Sequence, residues 1–330
     1  MSNTSVFPPA LSWPYAQNAR MLQNYDCESD ALMSLYKKAT LQQWSIDDLD
    51  WTHELDPNNP LRMPDPSLPI FGTTAWSRMG EIDRADVRRH FHGWTMSQIL
   101  HGEQGAMLCA MKLAQSEDGA AARLCACAQA FDEARHMQAY SRVVDEKLRV
   151  AYPMSTALRG LLQDVVTSSH ADITNLGMQV LVEGIALAIF QNVVSYSSDS
   201  FIKDLVSRVL RDEARHFAVG RLTLRALYKD QLTSAELAHR EEFLCEALAT
   251  LYDHLCATDV WIALESRAGD LSDAARDAPV SRTLRRSLFR QLVPAIRDIH
   301  LLQGKVKNLL ESLSMLDYAH LRNTELLQAE

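Results

Sequence analysis

The sequence predicts an all-α protein built as a bundle of long helices, and three observations carry that prediction. Glycine is sparse, 12 in 330 residues, and proline is concentrated before residue 70, in FPPALSWP and DPNNPLRMPDPSLP, so few breakers fall in the rest of the chain. From about residue 84 the sequence is rich in Ala, Leu, Met, Arg, Gln and Glu, the strong helix formers, with apolar residues at three- and four-residue intervals. It shows no strand alternation and no Rossmann glycine pattern.

Taken in order, residues 1–80 read as an irregular N-terminal arm and proline-rich connector packed on the core. This arm carries one helix over roughly 29–44, which Ser29 can cap. Residues 81–330 read as the helical bundle domain, with helices expected at 84–115, 119–149, 155–168, 170–195, 200–229, 233–257 and 281–312. The breaks have turn chemistry: SEDG at 116–119, Tyr152-Pro153, and SSDS at 197–200.

A chain of this length with 47% apolar residues can bury a sizeable core. Its 42 acidic and 33 basic residues give a net charge of -9, which disfavours nucleic acid and anionic membrane surfaces as partners. No basic segment followed by an apolar stretch opens the sequence, and no uninterrupted apolar run reaches the ~18 residues of a membrane span, so a soluble cytoplasmic protein is expected. The cysteines (Cys27, Cys109, Cys125, Cys127, Cys245 and Cys256) are scattered and form no CxxC pair. Reduced thiols are expected, with no zinc ribbon or ordinary iron–sulfur site.

The chemistry lies in a pentapeptide written twice, DEARH at 132–136 and again at 212–216. Within a helix, Glu133 and His136 leave the same face and can bind one metal ion, and Glu213 and His216 repeat this. Either copy alone is as well explained by exposed helix faces, or by buried ion pairs with Arg135 and Arg215. Position decides more. Glu103 and Glu133 each lie about 15 residues from the turn near 117, roughly 22 Å along a helix, so an antiparallel hairpin sets them at one height. Glu183 and Glu213 flank the 197–200 turn in the same way, and both pairs are thirty residues apart. Four helices thus deliver one Glu each and two add a His at i+3, the ligand set of a di-iron or di-manganese carboxylate centre. Glu103 in QILHGEQGAMLCA and Glu183 in MQVLVEGIALAIF sit in apolar runs, where a lone carboxylate would be costly to bury.

With these residues in place, the chain resembles the ferritin-like di-iron carboxylate superfamily. It is most similar to the oxygen-activating branch: hydroxylase subunits of bacterial multicomponent monooxygenases and the ribonucleotide reductase small subunit. The likeness spans residues 84–230 and rests on LHGEQGA, AFDEARHMQAY, LVEG and LRDEARHFAVG, with LYKKATLQQWSIDDLDW similar to the N-terminal approach of such oxygenases. It implies a ferritin-like four-helix core with additional helices, two iron ions or an Fe/Mn pair, and O₂ as co-substrate. It also implies that Asp132 and Asp212 accept hydrogen bonds from the metal-bound His of the opposite motif, and that Arg135 and Arg215 pair with the carboxylates. The family chemistry is O₂ activation by the reduced metal pair. The inward faces of Ile99, Ala106, Met107, Ala110, Val180, Ala186 and Leu187 would leave a hydrophobic cavity, although core packing explains each equally well. An apolar or aromatic substrate is the expectation. No flavin, nicotinamide or iron–sulfur motif is visible, so electrons are expected from a separate ferredoxin or reductase, for which SRTLRRSLFRQ offers a basic face. A homodimer is expected on family analogy.

Tyr140, four residues after His136, matches the radical-tyrosine position of ribonucleotide reductase small subunits and is the candidate catalytic residue. The HGEQGA context of Glu103 and the final TELLQAE, which lacks a tyrosine-bearing tail, favour a monooxygenase over that radical-generating subunit. Arylamine N-oxygenases of the superfamily carry a further His four residues before the last ligand Glu, where this chain has Val209. Iron storage, peroxide scavenging or a metal-free subunit fit less well, given the chain length, the missing CxxC sites and the complete set of six ligand candidates. His101 and His170 fall off the ligand face or level and are left out.

Overall fold

The computed structural model describes residues 10–16, 19–27, 29–268 and 271–321, and among these it contains helices and loops but no strand. The closing TELLQAE lies outside the described residues. Helix α1 (Asp30–Leu41) starts as the sequence predicts: the Ser29 hydroxyl accepts a hydrogen bond from the Leu32 amide at 3.3 Å. The proline-rich connector follows in short turns and leads to α2 (Thr74–Arg78).

Four helices then make the core. Helix α3 (Glu81–Ser116) and α4 (Ala120–Arg142) form one antiparallel hairpin, α4 running on through a π-helical turn at Val143–Lys147. After α5 (Thr156–Thr167) and α6 (Ala171–Asn175), a π-helical stretch at Leu176–Val182 passes straight into α7 (Glu183–Tyr196). Helix α8 (Ser200–Asp230) turns back along α7, its first turn capped by the buried Asp199 carboxylate, which accepts from the Ile202 amide at 3.1 Å. The buried Lys112 of α3 donates to the carbonyls of Val166 at 2.8 Å and Ser168 at 2.6 Å, satisfying the last turn of α5. Around this core lie α9 (Ser234–His254), α10 (Thr258–Ala268), α11 (Leu271–Asp277), α12 (Pro279–Leu288), α13 (Leu292–Asp298) and α14 (Gly304–Ser312).

Two expectations are corrected. The stretch 281–312 is three helices, not one. Proline lacks an N–H, so Pro294 is accommodated in the first turn of a restarted helix, and the positive φ of His300 (65°) and Gly304 (47°) separates α13 from α14. The 170–195 helix is continuous but contains the π-helical stretch, which rotates every side chain upstream of Glu183 relative to those downstream. The 171–196 segment is long and apolar enough by composition to cross a membrane, but 83% of its apolar window is buried inside the protein, as in a core helix.

The layer that will matter lies between two apolar clusters. Along α3, Leu100 belongs to one and Ala106 to the other, with Glu103 between them; along α8, Val209 and Phe217 bracket Glu213 in the same way. Close helix approach depends on glycine at Gly93, where an added Cβ would lie 2.4 Å from the Val150 carbonyl oxygen, whereas Gly160 on the exposed side of α5 has nothing within 4 Å. Gly93→Ala should therefore lose about 1–3 kcal/mol of stability through overpacking against backbone. Gly160→Ala should gain about 0.5–1 kcal/mol by restricting the unfolded chain. Urea unfolding midpoints of the two variants check both signs.

Candidate metal centre

The two DEARH segments lie on α4 and α8, and the i,i+3 spacing turns each Glu and His toward the bundle axis. There they meet Glu103 of α3 and Glu183 of α7. Ligand atoms of Glu103, Glu133, His136 and Glu213 lie within 4.8 Å of one another, and so do those of Glu133, Glu183, Glu213 and His216. Glu133 and Glu213 are common to both groups. All six residues predicted from spacing are therefore brought together, and none is more than 6% exposed.

The imidazole geometry is specific. His136 Nδ1 faces the site, 3.0 Å from Glu213 Oε1, 3.2 Å from Glu133 Oε2 and 3.4 Å from Glu103 Oε2. His216 Nδ1 lies 3.1 Å from Glu133 Oε1 and 3.3 Å from Glu213 Oε2. The other ring nitrogen points outward to the aspartate of the opposite motif: His136 Nε2 to Asp212 at 3.0 Å, His216 Nε2 to Asp132 at 3.2 Å. Burial would raise the pKa of both aspartates. The facing imidazoles, His216 for Asp132 and His136 for Asp212, instead hold it below the ordinary carboxylate range. Burial alone would lower the pKa of both imidazoles, but the surrounding carboxylates raise it well above the ordinary value, so without a metal each ring holds a second proton. With a cation bound, the ionised aspartate would keep the Nε2–H and the Nδ1 lone pair would point inward.

Arg135 and Arg215 do not touch the glutamates. Arg135 Nη2 donates to Asp132 at 2.5 Å and to Asp212 at 2.9 Å, and Arg215 Nη2 bonds both aspartates in turn. The ion-pair alternative for the four glutamates is thereby removed. Burial, then the neighbouring Glu213, raises the pKa of both Glu103 and Glu183 well above the ordinary value. Glu183 Oε2 and Glu213 Oε1 are buried without a hydrogen-bond donor. Four buried carboxylates, two imidazole Nδ1 atoms turned inward and orphaned carboxylate oxygens form a donor set that suits two divalent cations, which would displace the imidazole protons, with the hard oxygen and imidazole ligands that iron and manganese accept.

Several participants are not legible in the motifs. The end of the N-terminal helix region closes over the aspartate–arginine cluster: Trp44 Nε1 donates to Asp212 at 2.8 Å, Gln43 Nε2 to Asp132 at 3.0 Å, and Arg135 stacks 4.8 Å above the Trp44 ring. Gln129, buried on α4, donates to Glu133 at 3.1 Å and to Glu183 at 2.6 Å, and itself accepts from Gln179. The residue at the same place in the second repeat is Val209, which packs in an apolar cluster instead. An amide four residues before the first DEARH glutamate is the signal that could have identified Gln129.

Tyr140 is fully buried, stacks on Phe190 at 6.3 Å and 10°, and its hydroxyl has no partner. Burial, with Glu103 next, pushes its pKa well above the ordinary phenol value. A cavity of about 80 Å³ adjoins Glu103, Glu183 and Glu213. Ile99, Ala106 and Ala186 line it as expected; Met107, Ala110, Val180 and Leu187 do not, and Met178, Val182 and Ile185 take part instead. The π-helical stretch explains this for Val180, because it rotates that residue off the face it would share with Glu183 in a regular helix. Of the two excluded histidines, His101 bonds the Tyr152 carbonyl at 3.1 Å and His170 packs against His239, both away from the cluster.

A helical bundle with this buried carboxylate–imidazole cluster defines the class: the protein is a ferritin-like di-iron oxidoreductase. The family is fixed by sequence. The AurF family model, described as p-aminobenzoate N-oxygenase, matches residues 26–300, and the chain belongs to that family. Among solved structures it is similar to an R2-like ligand-binding oxidase with an aerobically reconstituted metal cofactor after photoconversion, with 14% identity and a TM-score of 0.52 over 84% of this chain and 95% of that one. A point variant of an R2-like ligand-binding oxidase, with an anaerobically reconstituted Mn/Fe cofactor, matches with 16% identity over the same shares, and its TM-score of 0.48 is too low to add weight. No curated protein sequence matches the chain. Because Gln129 orients two carboxylates at once, Gln129→Leu should still take up both metals at saturation but bind them about 10–100-fold more weakly, as read by competition with a ferrous chelator.

Proposed function

We propose that this chain is an O₂-activating di-iron monooxygenase that acts on a small apolar or aromatic organic molecule and receives electrons from a separate ferredoxin or reductase. In this reading Glu103 and His136 would hold one ion and Glu183 and His216 the other, with Glu133 and Glu213 common to both groups. The observation that carries it is that three of the four clustered glutamates, Glu103, Glu183 and Glu213, stand at the wall of an apolar cavity. An iron pair held there supplies the reduction of O₂ to a strong oxidant. The protein's own part is to fix each imidazole through Asp132 and Asp212, to keep water out with Ile99, Ala106 and Ile185, and to seat the substrate against the open side of the carboxylates. Tyr140, buried near Glu103 with an unpartnered hydroxyl, is assigned as the group that yields a hydrogen atom when no substrate is present.

A second reading, oxidation of an amine nitrogen, is favoured by membership of a family described as p-aminobenzoate N-oxygenase. With Val209 in an apolar cluster, it would have to proceed on the six-residue donor set alone.

Anaerobic reconstitution with ferrous iron followed by an O₂ pulse tests the proposal. About two irons per chain and a transient visible absorption band are expected, and no iron, or uptake far beyond two, would overturn it. Glu133→Ala or His216→Ala should bind well below two metal ions per chain by elemental analysis; undiminished metal would remove these residues from the ligand set. Tyr140→Phe should keep its iron and lose any tyrosyl radical signal in electron paramagnetic resonance. With p-aminobenzoate as probe, a hydroxylamine or nitro product selects the second reading and a ring-hydroxylated product the first.

A further inference from the structure

A second, larger cavity of about 450 Å³ lies next to the one at the metal centre, and the two share the walls formed by Trp94, Thr95, Ile189 and Leu255. Its lining comes mainly from apolar residues of the proline-rich connector, α3, α7 and α12. This volume falls within the range of small-molecule sites, about 300–1,000 Å³, and is several times that of the inner cavity.

Two polar side chains on its wall have unmet hydrogen-bonding capacity. Arg285 is 3% exposed, and its terminal nitrogens donate to the carbonyls of Ala275, at 2.7 Å, and Arg276 at the end of α11. Its Nε–H has no acceptor, and no carboxylate among the described residues pairs with its charge. His92, 2% exposed, has an unpartnered Nδ1. Burial, with the nearby Arg88 next, pushes its pKa down to about 3, so the ring is neutral and can accept or donate one hydrogen bond. The serine and threonine hydroxyls on the wall are already engaged: that of Ser67 donates to Pro64 O at 2.7 Å, that of Thr95 to Phe91 O at 2.8 Å and that of Ser287 to Leu284 O at 2.6 Å. SRTLRRSLFRQ, read from sequence as a basic outer face, thus turns one arginine inward and leaves Arg282 and Arg290 exposed.

We infer that the outer cavity binds the carboxylate head of an elongated, otherwise apolar acid at Arg285 and His92, and that the apolar end passes the Trp94–Ile189 wall into the cavity beside Glu103. The Arg285 guanidinium has the Tyr252 ring at 4.9 Å and two carbonyl acceptors, but no anionic partner among the described residues; a carboxylate ligand supplies one, and a mostly apolar lining suits a hydrocarbon body. This inference rests on the monooxygenase reading only for what happens at the far end; binding itself is independent of turnover.

Decanoate and decan-1-ol serve as probes, titrated calorimetrically and without O₂ into protein loaded with cobalt(II). Decanoate should bind at least ten-fold more tightly than the alcohol, and Arg285→Gln should abolish that preference. Decanoate, but not the shorter butanoate, should shift the visible cobalt spectrum, because only the longer chain reaches the inner cavity. Equal affinity of acid and alcohol in the unaltered protein would overturn the anion seat, whether or not Arg285→Gln folds. Binding of decanoate with no spectral shift would overturn the connected path. Tight, spectrally coupled binding in the cobalt protein, with no oxidation of decanoate when the iron-loaded protein is given O₂ and reductant, would support this inference and count against the oxygenase reading instead.

Discussion

Everything in this fold answers to four glutamates placed in one buried layer. Two like charges 4 Å apart repel by about 4 kcal/mol even at an effective dielectric of 20, and several such pairs converge here. The chain tolerates the arrangement only with protons or cations among the carboxylates, as the raised pKa of Glu103 and Glu183 expresses. The surroundings are arranged so as not to add to the burden. Asp132 and Asp212 carry two further negative charges, but Arg135 and Arg215 cancel them, so the cluster that orients the imidazoles is neutral as a unit. Such a cluster still needs a dry cover. Trp44, Gln42 and Gln43 supply it from the N-terminal arm, which makes that arm part of the centre and not a peripheral extension.

The duplicated motif suggests a symmetric site, yet the two halves offer different surroundings. Glu183 accepts from Gln129, which is bonded to Gln179, and Gln179 in turn lies beside Asn175, so one side is polar and tethered. On the other side Glu103 lies among His136, Glu133 and Glu213 near the apolar Tyr140–Phe190 pair, and no amide side chain among the described residues donates to it. A carboxylate held by an amide donor keeps one orientation, whereas one without such a donor is freer to change its mode of binding. The two halves of the ligand set are consequently inequivalent in their surroundings, although they offer the same donor atoms.

Much of this was legible because it depends on spacing. Helical rise and the positions of two turns suffice to bring Glu103, Glu133, Glu183 and Glu213 to one level, and i+3 geometry adds His136 and His216. The aspartate–histidine pairing followed from the resemblance. What escaped notice depends on tertiary contact or on local departures from regular helix. Nothing in the sequence around Trp44 specifies Asp212 as its acceptor, 168 positions away. The π-helical stretch before Glu183 has no punctuating Pro, and it moved Val180 off the cavity wall. Arg285 belongs to an evidently basic segment, and only the packing of α12 on α11 determines that this arginine points inward.

Glycine use around Glu103 links the metal layer to the cavity. A glycine inside a helix costs about 1 kcal/mol relative to alanine, and α3 carries two of them beside this ligand, in HGEQG. They do different things. A Cβ at Gly105 would lie 2.6 Å from Leu162 Cδ2, so this glycine lets α5 close against the bundle. A Cβ at Gly102 would meet nothing within 4 Å, and Gly102 lines the inner cavity. The first glycine is therefore explained by packing. Packing does not explain the second, whose missing side chain leaves open space next to a buried carboxylate. Under the proposed function, the space left at this half-buried glycine on the cavity wall is where a substrate atom would approach the carboxylate cluster.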